Sequence, residues 1–104
     1  MFVSNNDIAV GVDDLGKARD FWENVLGFEP SEVIDSHVVY GTGAINFYLM
    51  RDGFSAPVPI FIVRDLGSAK KLLTDNGCKI LQERENSLYY RDTNGHIFGL
   101  IEEK

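Results

Sequence analysis

One stretch of this sequence occurs twice. Val12-Asp13-Asp14-Leu15-Gly16-Lys17-Ala18-Arg19 returns as Val63-Arg64-Asp65-Leu66-Gly67-Ser68-Ala69-Lys70, 51 positions later, with five of the eight residues identical. Phe21-Trp22 falls on Leu72-Leu73, and Gly27 answers Gly77 after a slip of one. Gly43-Ala44-Ile45 answers Gly95-His96-Ile97 at a shift of 52. Three matches in the same order are hard to obtain by chance. A chain of 104 residues has no room for a second full-sized core, so the two halves must pair within a single domain.

Each half reads the same way. Ile8, Val10 and Val12 alternate with Asp7, Ala9 and Gly11, the period of a strand with one buried face. Asp13-Asp14 then caps a helix whose stripe is Leu15, Ala18, Trp22, Val25 and Leu26, widened by Phe21. Gly27 sits where a left-handed cap ends it. In the second half a strand runs from about Val58 to Val63, and Asp65 caps a helix striped by Leu66, Ala69, Leu72 and Leu73. Strand-like runs follow each helix: Val33 to Tyr40 and Ala44 to Met50, then Lys79 to Glu83, Leu88 to Arg91 and Ile97 to Ile101. Module one therefore spans about residues 7–50, a linker about 51–57, and module two about 58–103.

Charge and composition narrow the partners. Sixteen acids against ten bases give a net charge of −6, with no cluster of Lys and Arg to grip phosphates. Nucleic acid and anionic membrane surfaces are not expected partners. No run approaches the ~20 apolar residues of a membrane-spanning helix, and the N-terminal residues do not read as a signal peptide. Cys78 is the only cysteine, which suits a reducing cytoplasm and excludes an intrachain disulfide. No Ser–His–Asp set, phosphate loop or catalytic carboxylate pair can be placed.

Val12-Asp13-Asp14-Leu15, Phe21-Trp22, Leu26-Gly27-Phe28 and the turn Asp92-Thr93-Asn94-Gly95 with the strand after it stand in a known order. Together they resemble the vicinal oxygen chelate superfamily, which includes glyoxalase I, extradiol dioxygenases and bleomycin-resistance proteins. The resemblance covers roughly residues 7–103. It implies an α+β fold of two βαβββ modules forming a U-shaped mixed sheet around a cleft, with helices on the outer face. It also implies a homodimer.

Metal-dependent members carry ligands seven residues before the helix-starting Asp and four after the turn Gly. Here those positions hold Asp7, Val58, Phe47 and Gly99. One carboxylate cannot hold a metal that needs three or more donors, so no metal cofactor is expected.

Residues two apart share a strand face. The cleft set is then Asp7, Ala9 and Gly11; Ile45, Phe47 and Leu49; Val58, Ile60 and Ile62; and Ile97, Gly99 and Ile101. Such a trough either receives an apolar or planar ligand or fills a closed core. In the first case Phe47 is an aromatic wall and Gly99 leaves open space. Of the next run, Tyr89 and Arg91 are assigned to the open face and Tyr90 to the other. Asp7 is either a cleft carboxylate or a solvated strand end. His37 reads as a structural or surface residue, His96 as part of a turn, and Trp22 as core or dimer contact.

The expected function is binding of a small, planar organic molecule, in the manner of the bleomycin-resistance proteins. The alternatives are a lyase or dioxygenase relative with a displaced metal site, built on His37 and Asp7, and a filled-cleft protein acting through protein contacts alone.

Overall fold

The computed structural model describes residues 2–103. Its elements run in the order β1 (Val3–Gly11), α1 (Leu15–Asp20), a π-helical turn (Phe21–Val25), β2 (Pro30–Val33), β3 (His37–Gly41) and β4 (Asn46–Met50). The second module repeats the order with β5 (Val58–Val63), α2 (Leu66–Asp75), β6 (Lys79–Glu83), β7 (Ser87–Arg91) and β8 (Ile97–Glu102). This is an α+β fold of two βαβββ modules. Residues 6–58 make one compact unit, and residues 2–5 with 59–103 make the other.

In the first unit the strand order is β2-β3-β4-β1. β1 runs parallel to β4, and β3 is antiparallel to both β2 and β4, so the sheet is mixed. In the second unit the order is β5-β8-β7-β6, with β5 parallel to β8 and the remaining pairs antiparallel. A parallel pair needs a long crossover. In each module α1 or α2, with the hairpin strands after it, supplies that crossover.

The two helices start alike because their sequences do. Asp14 accepts a hydrogen bond from the Lys17 backbone N–H at 3.0 Å, and Asp65 accepts one from the Ser68 N–H at 3.1 Å. Each side chain satisfies a donor that the first turn leaves free. On α2 the Glu102 carboxylate accepts a second, from the Leu66 N–H at 2.8 Å, tying the start of the helix to the end of β8.

They end differently. α2 stays regular to Asp75, whereas the first helix widens after Asp20 into a π-turn, where the Leu26 N–H donates to the Phe21 carbonyl. The widened turn puts Trp22 on the core, its ring stacked on Tyr40 with centroids 5.5 Å apart and edge-on to Phe47 at 5.1 Å. Gly27 and Gly77 then take positive φ, 82° and 89°, as the left-handed caps require.

Each unit has its own core on the helix side of its sheet. In the first, Leu15, Val38, Tyr40 and Leu49 are buried, with Val10, Val12 and Trp22 packed around them. In the second, Val63, Ala69, Leu73, Leu88, Tyr90 and Leu100 are buried, with Phe2, Phe61 and Phe98 against them. Phe2 therefore serves the second module although it lies at the other end of the chain.

Three strand limits depart from the sequence expectation. β1 begins at Val3 rather than at Ile8. The run from Val33 to Tyr40 is broken by a tight turn in which the Ile34 N–H donates to the His37 carbonyl. β4 begins at Asn46, one residue further from its turn glycine than β8 is from Gly95.

Candidate functional site

That extra residue changes which side chains share a face. Ala9 pairs with Tyr48 and Asp7 with Asn46, as Ile60 pairs with Gly99. The modules thus correspond at a shift of 51 through β4 and β8, and Tyr48 is the counterpart of Gly99. A slip of one residue moves a whole strand's side chains to the other face. The expected cleft assignment of Ile45, Phe47 and Leu49 is corrected accordingly. Phe47 lies against Trp22 on the helix side, and Leu49 is fully buried in the first core. Asn46, Tyr48 and Met50 occupy the open face instead.

The open face of the first unit is polar. Asn46 Nδ2 donates to Asp7 Oδ1 at 3.1 Å, across the parallel pair. Next along the strands come Ala9, Tyr48, Val39 and Glu32, and then Gly11, Met50 and His37. His37 Nε2 lies 2.7 Å from Glu32 Oε1, and its ring centroid is 5.7 Å from that of Tyr48. Burial pushes the Tyr48 phenol above its ordinary pKa, and the nearby Asp7 and Glu32 charges push it further. The hydroxyl is thus held as a neutral donor within the field of two carboxylates.

Asp7 therefore shares its sheet face with Asn46 and Tyr48. His37, read from the sequence as structural or surface, joins it on that face. Glu32, Asn46 and Tyr48 escaped the sequence reading. The one usable signal was the register of Asp7, and the turn length hid it.

The open face of the second unit is mostly apolar, and its phase was read correctly. Ile60, Gly99, Tyr89 and Gln82 lie in one row. Ile97 pairs with Arg91, whereas Tyr90 points into the helix-side core. Val58, at the start of β5, is 2% exposed. Arg91 is exposed and Ile97 half-buried.

Gly99 does not leave the open space expected of it. A Cβ placed there would stand 2.6 Å from Ile60 Cδ1 and 3.1 Å from Tyr89 Cε1. The bare backbone is covered by its two row neighbours. Burial raises the pKa of Tyr89, with Arg84 opposing. His96 belongs to its turn, its backbone N–H donating to Asp92 Oδ1 at 2.9 Å.

The positions at which this fold family carries metal ligands hold Asp7 and Tyr48 in the first module, and Val58 and Gly99 in the second. One carboxylate, one protonated phenol, an isopropyl group and a bare backbone do not fit a divalent metal. Among the described residues no group of three or more His, Cys, Asp and Glu could hold one.

The sequence matches the model of the Glyoxalase/Bleomycin resistance protein/Dioxygenase superfamily over residues 5–100, and the chain belongs to that superfamily. No curated protein matches it. Among solved structures it is similar to an NAD-dependent benzaldehyde dehydrogenase from Legionella pneumophila. The TM-score is 0.73 and the identity 14%, over 94% of this chain and 98% of that one. It is also similar to homoprotocatechuate 2,3-dioxygenase from Brevibacterium fuscum, in complex with 3,4-dihydroxyphenylacetate. There the TM-score is 0.73 and the identity 19%, over 99% of this chain but 37% of the dioxygenase. A hypothetical protein from Bacillus halodurans aligns with a TM-score of 0.71 at 11% identity, over 95% of this chain and 93% of that one. At such identities the likeness is one of fold.

Proposed function

We propose that this protein is a binding member of its superfamily that receives a small, planar organic molecule without a metal. The observation that carries the proposal is the open face of the first unit, where Tyr48 and His37 offer two rings and Asp7, Asn46 and Glu32 offer polar anchors. A flat ligand would lie along Tyr48 and His37, with hydrogen-bonding groups meeting Tyr48 Oη and the Asn46 amide. The apolar side chains on the same face of the second unit's sheet, Ile60, Ile97 and Tyr89, suit the same class of molecule. In this proposal the protein works in the cytoplasm as a homodimer, the exposed Phe21, Val25 and Leu26 giving each copy an apolar surface to cover.

The enzyme alternative, a lyase or dioxygenase relative with a displaced metal site on His37 and Asp7, has one observation in its favour. His37 lies 2.7 Å from the Glu32 carboxylate, which would orient its ring. A metal on His37 and Asp7 would still lack a third strong donor.

Thermal shift against a panel of aromatic drugs and dyes tests the proposal, using wild type, Tyr48→Ala and Glu32→Gln. A ligand at ~100 times its Kd stabilises the native state by about 2.7 kcal/mol, an easily read shift. The expected result is a compound that stabilises wild type and loses most of its effect on Tyr48→Ala. A panel with no binder, or a binder indifferent to Tyr48, would sink the proposal.

A further inference from the structure

A groove of about 270 Å³ lies on the helix side of the first unit, across the sheet from Tyr48. Leu15 and Arg19 of α1 form one wall, and Val33, Ile34 and Asp35 of the β2–β3 turn form the other, with Arg51 at the end. Val33 and Ile34 are 48% and 47% exposed, so the groove presents uncovered apolar surface.

Charges of both signs line it. Arg51 and Asp35 line the same groove, yet neither side chain has an ion pair among the described residues. Their backbones are held close, because the Arg51 N–H donates to the Ser36 carbonyl at 3.0 Å. Arg19 is fixed by Glu23, which accepts from its Nε at 2.8 Å and its Nη2 at 3.4 Å, so its charge is already paired. Glu23 in turn accepts the Tyr40 hydroxyl at 2.8 Å. The groove thus offers one unpaired cation, one unpaired anion and an apolar wall, close to electrical balance. A simple anion or cation would satisfy one charge and oppose the other. A small zwitterion satisfies both.

We propose that this groove binds a free amino acid with an apolar side chain. The carboxylate is taken by Arg51. The ammonium is taken by Asp35, and the side chain lies against Leu15, Val33 and Ile34. The volume is just under the ~300 Å³ at which drug-sized pockets begin, which suits one such molecule and not a peptide.

The test is a titration followed by the backbone amide spectrum of the labelled protein. L-Leucine is the probe, and N-acetyl-leucine, leucinamide and glycine are the comparisons. Leucine is expected to shift the amides of Val33, Ile34 and Asp35. Each comparison lacks one charge or the apolar side chain, and should bind weaker by about tenfold or more. Arg51→Gln and Asp35→Asn lie at exposed positions and should fold normally, yet each should lose a similar factor. Absence of any shift with leucine would overturn the proposal. Equal binding of N-acetyl-leucine would also overturn it, leaving an anion groove. Shifts confined to Tyr48 and His37 would move the ligand to the opposite face, which contradicts this proposal and leaves that of the planar ligand standing.

Discussion

Tyr48 stands opposite Ala9 in the first module as Gly99 stands opposite Ile60 in the second. One position thus carries a phenol in one module and nothing in the other. In the second module the vacancy is taken up by neighbours, since a Cβ at Gly99 would meet Ile60 Cδ1 at 2.6 Å and the Tyr89 ring at 3.1 Å. Gly99→Leu should therefore overpack the row and cost about 1–3 kcal/mol in urea denaturation. Ile60 meets the added carbon with the flexible end of its side chain, so Ile60→Ala in the same chain should recover part of the loss. Additive costs in that double-mutant cycle would show that the two side chains do not compete for the space.

Most of the fold was legible in the sequence because the repeat covers the parts with strong local signals. The Asp14 and Asp65 caps, the helix stripes and the glycines at positive φ all act within a few residues. The phase of β4 did not come through. It depends on a turn one residue longer after Gly43 than after Gly95, and period two turns that residue into a change of face. The π-turn was hidden for another reason. Phe21, Trp22 and Val25 suit either an α- or a π-register, and the choice rests on where Trp22 finds Tyr40 and Phe47. The open face of the second module was read correctly because its pairing follows the turn glycine without an offset.

Alkaline pH should loosen the protein through two buried phenols. Tyr40 is pushed up to about 12 by burial and by the Glu23 carboxylate that accepts its hydrogen bond. Tyr90 is pushed up to about 12 by burial first, with Cys78 and Asp92 adding to it. A phenol with a raised folded value keeps its proton in the folded chain after the unfolded chain has lost it. Its contribution is full below the ordinary value of 10.0 and is lost as pH rises through about 12. Denaturation midpoints should fall across that window and fall less in Tyr40→Phe. The variant should also lose about 1 kcal/mol at neutral pH for the missing hydrogen bond. Parallel pH profiles for the two proteins would show that Tyr40 does not titrate with unfolding.

Acid should act through the caps. The Ser68 backbone N–H holds the Asp65 carboxyl below its ordinary value, and the His96 and Asn94 N–H groups do the same for Asp92. A depressed carboxyl contributes stability above its unfolded pKa and loses it as pH falls through the folded one. Asn also caps helices but does not titrate. Asp65→Asn should therefore flatten the fall in stability as pH drops below the ordinary carboxyl value of 3.8, while leaving the helix intact. A profile as steep as that of wild type would place the acid sensitivity elsewhere.

A homodimer would cover an apolar patch on the first helix. Phe21 and Val25 stand one turn apart and are 52% and 66% exposed, although both are large and apolar. If a second copy covers them, Phe21→Lys and Val25→Lys should each shift sedimentation from the dimer toward the monomer. The circular dichroism should stay unchanged, because neither side chain belongs to a core. Monomeric wild type at high concentration would end the proposal. A dimer untouched by both substitutions would place the interface on another face.

The donor set of the open faces makes a prediction about metals. Asp7 already accepts a hydrogen bond from Asn46, and Tyr48 holds its proton more tightly than an ordinary phenol. A metal binding there would have to displace the first and deprotonate the second, with Val58 and Gly99 offering no side-chain donor. His37 keeps Nε2 on Glu32, 2.7 Å away, and could lend only its other ring nitrogen, which is too few donors for a site. Zinc, iron or nickel should therefore bind weakly, and excess chelator should leave the thermal midpoint where it was, since a ligand that does not bind the native state contributes nothing by linkage. Stoichiometric metal held by the wild type through chelation would show that donors outside this set complete a site, and would bring the lyase or dioxygenase alternative to the front.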